Sequence, residues 1–335
     1  MVLSPGAGNA TPRFHAGSAV ARPFTAHAQQ AGAVRRVGVL MNSKPTDTVY
    51  QSYYTELTQT LQKLGWRDGQ NLRLDVRWSA ADPELIHYYA GELVAMTPDL
   101  IVTSSSANLT AVLRVTQTIP IVFLQVSDPV AQGFVPNLVH PGGNITGLSA
   151  YEVAMAGKWL DLLKQMVPSL GRVGVIFNPD TSPQSKFFLR SIESSAPSFG
   201  VTVTAAPVHD EAEIEQALKG LTGEPNGGLL FSTDTFLAVR RKLIVEMCAH
   251  YRVPAIYAQE EFVSEGGLMC YSIAFENQFR QAAIYVDRIL KGAKPGDMPI
   301  EMPTAFKLII NLTTARSLGM EVPMGLMMRA DKLIE

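Results

Sequence analysis

From Arg36 onward, short β-branched apolar runs alternate with stretches whose apolar residues recur at helical spacing. That alternation predicts parallel strands flanked by helices, an α/β class. Residues 36 to 42, RVGVLMN, read as a buried strand, and residues 50 to 64 place Tyr50, Tyr53, Leu57, Leu61 and Leu64 on one helical face before Gly65. A second strand falls at 71 to 78. The helix after it has Asp82 as N-cap and Pro83 in its first turn, with Leu85, Tyr89, Leu93 and Met96 turned inward. Strand 99 to 103 leads into Ser104-Ser105-Ser106 and a further helix. Strand 120 to 126 leads into Ser127-Asp128-Pro129, and Pro141-Gly142-Gly143-Asn144 closes this half of the chain.

Residues 172 to 178, RVGVIFN, match residues 36 to 42 at five of seven positions, and the order of elements then repeats. A helix over 183 to 197, strand 201 to 208, helix 210 to 221, strand 228 to 232, helix 235 to 250 and strand 254 to 258 are expected. Two similar doubly wound lobes follow. Loop Ser104-Ser105-Ser106 corresponds to Ser232-Thr233-Asp234, and Gln125 to Asp128 corresponds to Gln259-Glu260-Glu261. Strand 267 to 273, helix 275 to 291, a Pro295 to Pro303 linker and strand 306 to 311 complete the chain. In open parallel sheets ligands bind beyond the carboxyl ends of the strands, so two such lobes facing each other form a cleft.

Composition narrows the partners. With 47% apolar and 17% charged residues and a formal charge of -2, nucleic acid and membrane surfaces are poor candidates. No apolar run approaches the ~18 residues that span a bilayer, so no direct membrane insertion is expected. Cys248 and Cys270 lack metal or redox spacing and read as buried free thiols, with a disulfide between them as the alternative. The six histidines never reach metal-ligand spacing, and no Walker loop, nucleophile elbow or strand-linked G-x-G-x-x-G occurs. No metal, cofactor or catalytic residue is expected. Residues 1 to 34 carry no periodicity, but Ala26-His27-Ala28 has the form of a signal-peptidase site, which points to export with cleavage after Ala28 despite the missing apolar core.

Several stretches together resemble the ABC-transporter substrate-binding proteins typified by tryptophan- and tyrosine-binding members. They include RRVGVLMN (35 to 42), PDLIVTSSS (98 to 106), IPIVFLQVSDPV (119 to 130), PGGNITG (141 to 147), RVGVIFNP (172 to 179) and the segment from Arg288 to Gly319. The resemblance covers about 300 residues, from Arg35 to Glu335. It implies a type I periplasmic-binding fold with a three-segment hinge, the first lobe being 36 to 147 plus 274 to 302 and the second 148 to 273 plus 303 to 335. It also implies an exported or lipid-anchored location, a small-molecule ligand, and a membrane permease with its ATPase as partners; with both cysteines deep in the second lobe and no lipobox cysteine, a free periplasmic form is expected, as a monomer.

Carried over position by position, the family's ligand loops fall on Asn42 to Asp47, Ser104 to Ser106, Ser127-Asp128, Asn178 to Ser182, Ser232 to Asp234 and Tyr257 to Glu260. Each residue also has a plain structural reading. Ser104, Ser105 and Ser106 fit a ligand carboxylate or a helix N-cap, and Asp234 fits a ligand ammonium or an N-cap. Asp128-Pro129 reads as a turn and helix start, which leaves Ser127 as the better contact. Tyr257 would stack on a ligand or fill the lobe core. Asn42 and Asn178 occupy equivalent loop positions, with Thr181 beside the latter. Glu260 stands where amino-acid-binding members carry an acidic residue in a Gly-Asp context, a departure that leaves an amino acid as first guess beside neutral or carboxylate solutes. A sensor subunit, or a repressor core lacking its DNA-binding part, is the alternative function.

Overall fold

The computed structural model describes residues 34–222 and 226–335; the expected cleavage site after Ala28 lies outside them. The first sheet is parallel, in the order β2-β1-β3-β4-β5. Its strands are β1 (Arg35–Met41), β2 (Leu72–Trp78), β3 (Leu100–Ser104), β4 (Ile121–Val126) and β5 (Ile145–Ser149). Helices α1 (Thr48–Lys63), α2 (Pro83–Ala95) and α3 (Ser106–Val115) connect the first four strands. The sheet is buried on both faces, which is why its strands are continuous apolar runs. Val37, Val39, Val102 and Leu124 meet Tyr53, Leu57 and Leu61 of α1, while Leu40, Ile101 and Phe123 meet α2 and α3.

The second sheet has seven strands in the order β12-β11-β10-β9-β8-β6-β7. They are β6 (Arg172–Phe177), β7 (Thr202–Pro207), β8 (Gly227–Phe231), β9 (Ala255–Tyr257), β10 (Met269–Ile273), β11 (Phe306–Asn311) and β12 (Lys332–Ile334). All neighbours are parallel except β10 and β11, which run antiparallel. Helices α4 (Met155–Met166) and α5 (Ser185–Ser195) cover one face with Trp159, Leu163, Phe188 and Ile192. The other face packs on α6 (Glu211–Thr222), α7 (Thr235–Val239), α8 (Arg241–His250) and α9 (Glu260–Ser264). Helix α10 (Phe275–Leu290) leaves this sheet and packs on α1 and on β3, β4 and β5 of the first. Two short helices, α11 (Leu312–Ser317) and α12 (Met324–Met327), lie between β11 and β12.

The chain therefore crosses between the sheets three times: after β5, between β10 and α10, and between α10 and β11. Tyr151, on the first crossing, is fully buried and sets its ring against Phe275 of the second and Phe306 of the third, each at 6.2 Å. Its hydroxyl donates to Ala258 O and accepts from the Ile273 N–H.

Four expectations about local structure need correction. The fully buried row of α2 is Ile86, Ala90 and Leu93; of the residues expected inward only Leu93 is in it, while Tyr89 and Met96 pack on the core in part and Leu85 is half-buried. The helix expected over 235 to 250 is two helices, broken at Arg240, whose guanidinium sits 3.8 Å from the Phe236 ring centroid. Asp128-Pro129 begins a turn rather than a helix, held by the Gln132 N–H on Asp128 O and the Phe134 N–H on Pro129 O. Beyond Pro141 to Asn144 the first sheet continues into β5, where no strand was expected. Cys248 and Cys270 are both buried and free. No helix among the described residues is long and apolar enough to cross a membrane.

Candidate functional site

Strand β3 ends in a serine run because the chain must leave a buried strand and cap a helix within two residues. Ser104 is spent on the sheet: its Oγ accepts from the Asn42 N–H at 3.0 Å and lies 3.0 Å from Asn42 Oδ1. Ser105 caps α3 through the Asn108 N–H and does so at φ 80°, a left-handed value costly for a side chain bearing Cβ. Ser106 Oγ accepts from Gln132 Nε2 at 2.9 Å, and the same amide reaches Ser127 O, tying the loops after β3 and β4 together.

Two more residues of this rim are left-handed, Gln125 at φ 54° and Asp128 at φ 43°. Gln125 sits where the pairing of β4 with β5 shifts register between Phe123 and Val126, a bulge of the kind that re-aims a side chain. Its N–H is taken by Gln278 Oε1 of α10, yet both polar atoms of its own buried amide have no partner. Backbone strain together with an unmet buried amide makes Gln125 a candidate ligand contact. Asp128 is part-exposed and accepts from the Ala131 N–H, so its carboxylate serves the turn.

The second lobe offers a matching rim. Asp234 caps α7 and is 3% exposed; its carboxylate accepts from the N–H groups of Phe236, Leu237 and Asn178 and from Thr181 Oγ1. Burial pushes its carboxyl up to about 6, and those four donors limit the rise. Three of these donors share Oδ1 and one takes Oδ2, so the ammonium expected from the sequence would have to reach Oδ2 of a buried carboxylate. Asn178 Oδ1 in turn holds the N–H groups of Asp180 and Thr181. Ser232 Oγ and Gln184 Oε1 are buried without partners. Tyr257 lies in the lobe core: it forms one stacked cluster with Phe231 at 5.1 Å and Phe262 at 4.7 Å, both at 14°, and is 1% exposed. Glu260, part-exposed at the start of α9, has Lys332 Nζ at 3.7 Å.

The two rims meet. Ser127 Oγ lies 3.2 Å from Thr233 Oγ1, both buried, one hydroxyl from each lobe. Arg241 of α8 grips Asp47, the N-cap of α1, with Nη1 at 2.6 Å and Nη2 at 3.2 Å, and both side chains are almost fully covered. Burial alone would raise the Asp47 carboxyl, but the Arg241 guanidinium, Ser43 and the Tyr50 N–H outweigh it and hold it below the ordinary carboxylate range. Tyr53 donates to Glu261 Oε1 at 2.8 Å, and Gln259 Nε2 lies 3.5 Å from the Tyr50 hydroxyl. Gln259 Oε1 and Glu261 Oε2 are left bare.

Of the residues picked out in the sequence, Ser127 stands at the inter-lobe contact, and Ser105, Ser106, Asn178, Thr181, Ser232 and Asp234 lie on the two rims. Ser104 and Asn42 are joined to each other, and Tyr257 lies beneath the rim. Sequence reasoning missed Gln132, Gln184, Arg241 and Glu261. Only Glu261 carried a signal, as the aligned partner of the Gln125 to Asp128 loop. Among the described residues no group of histidine, cysteine, aspartate or glutamate could hold a metal ion.

Comparison with known proteins finds relatives of the whole described chain. A tyrosine-binding protein of Clostridioides difficile is 29% identical over 263 residues, 78% of this chain and 75% of that one. An ABC domain solved in complex with L-Trp from Streptococcus pneumoniae superposes with a TM-score of 0.80 at 23% identity, over 90% of this chain and 100% of the other. The ligand-free, open structure of a substrate-binding protein with adhesive properties from Clostridium difficile gives 0.64 at 26% identity, over 90% and 99%. Residues 37–334 match the family model described as ABC transporter substrate binding protein, and the chain belongs to that family.

Proposed function

We propose that the protein captures one small molecule between its lobes, outside the cytoplasm, and hands it to an ABC permease for import without changing it. In this reading residues 36 to 147 plus 274 to 302 form the first lobe and residues 148 to 273 plus 303 to 335 the second. The observation that carries it is the meeting of two polar rims in which Gln125, Ser232 and Gln259 keep buried polar atoms with no protein partner. A buried amide unmatched by protein is costly, and a ligand removes the cost. The better superposition on the L-Trp complex than on the open form, despite lower identity, supports a closed arrangement of the lobes. The tryptophan and tyrosine bound by or named for these relatives make aromatic amino acids the first ligands to test.

The test is a thermal-shift screen of residues 29 to 335 against amino acids, small carboxylates, nucleobases and sugars. Ligand at ~100 times its dissociation constant stabilises the fold by about 2.7 kcal/mol, a shift of a few degrees. L-tryptophan or L-tyrosine is expected to produce it, and Gln125→Leu, of similar bulk but without the amide, to remove it. A shift by a sugar or nucleobase alone would leave capture standing and sink the amino-acid assignment; a shift untouched by Gln125→Leu would place the ligand elsewhere.

A further inference from the structure

A groove of about 290 Å³ opens between the lobes where α1, α9 and the start of α10 converge. None of the serine loops lines it, and the rim after β9 reaches it only through Glu260 and Glu261. Ser52 and Tyr53 come from the first lobe, Glu260 and Glu261 from the second, and Phe275 and Glu276 from the crossing between them. Three carboxylates therefore face one small space. Among the described residues Glu276 has no ion pair, and the Lys332 partner of Glu260 is 3.7 Å away and more than half exposed, a contact of little strength.

The first turn of a helix favours acidic residues, which accounts for Glu260 on α9 and Glu276 on α10 with no ligand at all. Glu261 shares that first turn, but the preference does not account for its burial. That residue is 4% exposed, one of its oxygens accepts from Tyr53, and the other is buried with no donor. A bare carboxylate oxygen out of water calls for an N–H or O–H, and two further carboxylates beside it call for positive charge. Burial above all, and Glu276 least, raise the Glu261 carboxyl against its own backbone N–H, Tyr53 and Arg241, and a bound cation would relieve that. The aromatic rings of Tyr53 and Phe275, 6.4 Å apart, offer the groove an apolar wall. The carboxylates do not cluster tightly enough for a metal ion.

We propose that this groove is a second binding site, for a small organic amine held as its ammonium. The N–H donors reach the free oxygen of Glu261, Glu260 and Glu276 supply the surrounding negative field, and the organic part lies along Tyr53 and Phe275. Because α1 and α9 belong to different lobes, the site is complete only when the lobes are together. An amine bound there favours the closed form and tightens binding in the main cleft, a consequence that rests on the capture reading, whereas amine binding itself does not.

The test is calorimetric titration of the wild-type chain with benzylammonium chloride, with benzyl alcohol as its neutral isostere. One benzylammonium per chain is expected, with no comparable heat from the alcohol. Glu261→Gln weakens it about tenfold or more, the loss expected when a charge-assisted hydrogen bond becomes a neutral one. Glu276→Gln, at a part-exposed helix start where the fold is not at stake, weakens it several-fold. No binding at millimolar benzylammonium, equal binding of the alcohol, or binding unchanged in both variants overturns the site. Each of these results leaves the main cleft's thermal-shift result intact, so the two readings fail separately.

Discussion

Arg241→Ala is expected to weaken ligand binding about a hundredfold while leaving the ligand-free chain folded. The pair it breaks joins the lobes, with the Arg241 and Asp47 side chains only 11% and 8% exposed. Removing one partner of a buried ion pair costs roughly 3 to 5 kcal/mol, because the survivor keeps its desolvation penalty and loses its counter-charge. Here the survivor can escape. When the lobes part, Asp47 returns to water while Ser43 and the Val49 and Tyr50 N–H groups still hold it, so the cost falls on the closed form alone. At the lower end, about 3 kcal/mol against closure, apparent affinity falls by about two decades. Titrating the compound selected by thermal shift into both proteins measures this, and equal affinities would remove the pair from the mechanism. Acid should act in the same direction. Asp47 is depressed in the closed form, so its contribution is full above the ordinary carboxylate value and is lost as pH falls through the lowered one. Affinity should therefore drop below about pH 4 in the wild type, and this loss should be absent from Asp47→Asn, which keeps the N-cap.

Gly147→Ala should have the largest effect on stability. Gly147 lies in β5 at φ +158°, beside the bulge of β4, and a Cβ there would stand 2.1 Å from Phe123 O. The obstacle is backbone, so relief means moving β4 or β5 within a sheet buried on both faces. Overpacking of this kind reaches the exceptional range of about 4 kcal/mol or more, which lowers the unfolding midpoint by roughly 10 °C. A midpoint within two degrees of wild type, measured by calorimetry, would show that the two strands can separate at little cost. Gln125 lies on the bulged segment, so partial relaxation should also loosen the rim that it occupies.

The repeat of RVGVLMN as RVGVIFN, with the same order of elements behind each copy, carried the two-lobed fold. N-caps were legible too: Asp82 and Asp234 both cap the helices expected of them, because an aspartate before an apolar periodic run has one efficient use. Failures came where local pattern and packing disagree. In α2 the expected face put Tyr89 inward beside Leu93, whereas the helix lies close on the sheet through Ile86 and small Ala90 and leaves Tyr89 only partly buried. Strand β5 is Ile-Thr-Gly-Leu-Ser, with a glycine in the middle and polar residues between, and reads as loop. The break at Arg240 contains neither glycine nor proline.

The site divides in the same way. Loops at strand ends could be located from the sequence because the strands could be. Which loop residues face a ligand, and which hold the loop, depends on partners far along the chain. Asp47 and Arg241 are 194 residues apart, and Tyr53 and Glu261 are 208 apart. No spacing rule connects them. Tyr257 shows the reverse case, since an aromatic at a strand end fits a cleft wall equally well until its packing on Phe231 and Phe262 is seen.

Closure over a ligand can be measured most directly as a distance between labels on the two lobes. Tyr88 on α2 and Met328 beside α12 are 67% and 80% exposed, and the native Cys248 and Cys270 are buried, so cysteines placed at those two positions can be labelled selectively. The Tyr88→Cys/Met328→Cys protein should give two populations by electron-electron double resonance. The compound selected by thermal shift should drive it to one of them, and adding Arg241→Ala should drive it to the other. A single distance that neither the bound compound nor Arg241→Ala changes would contradict capture by lobe closure.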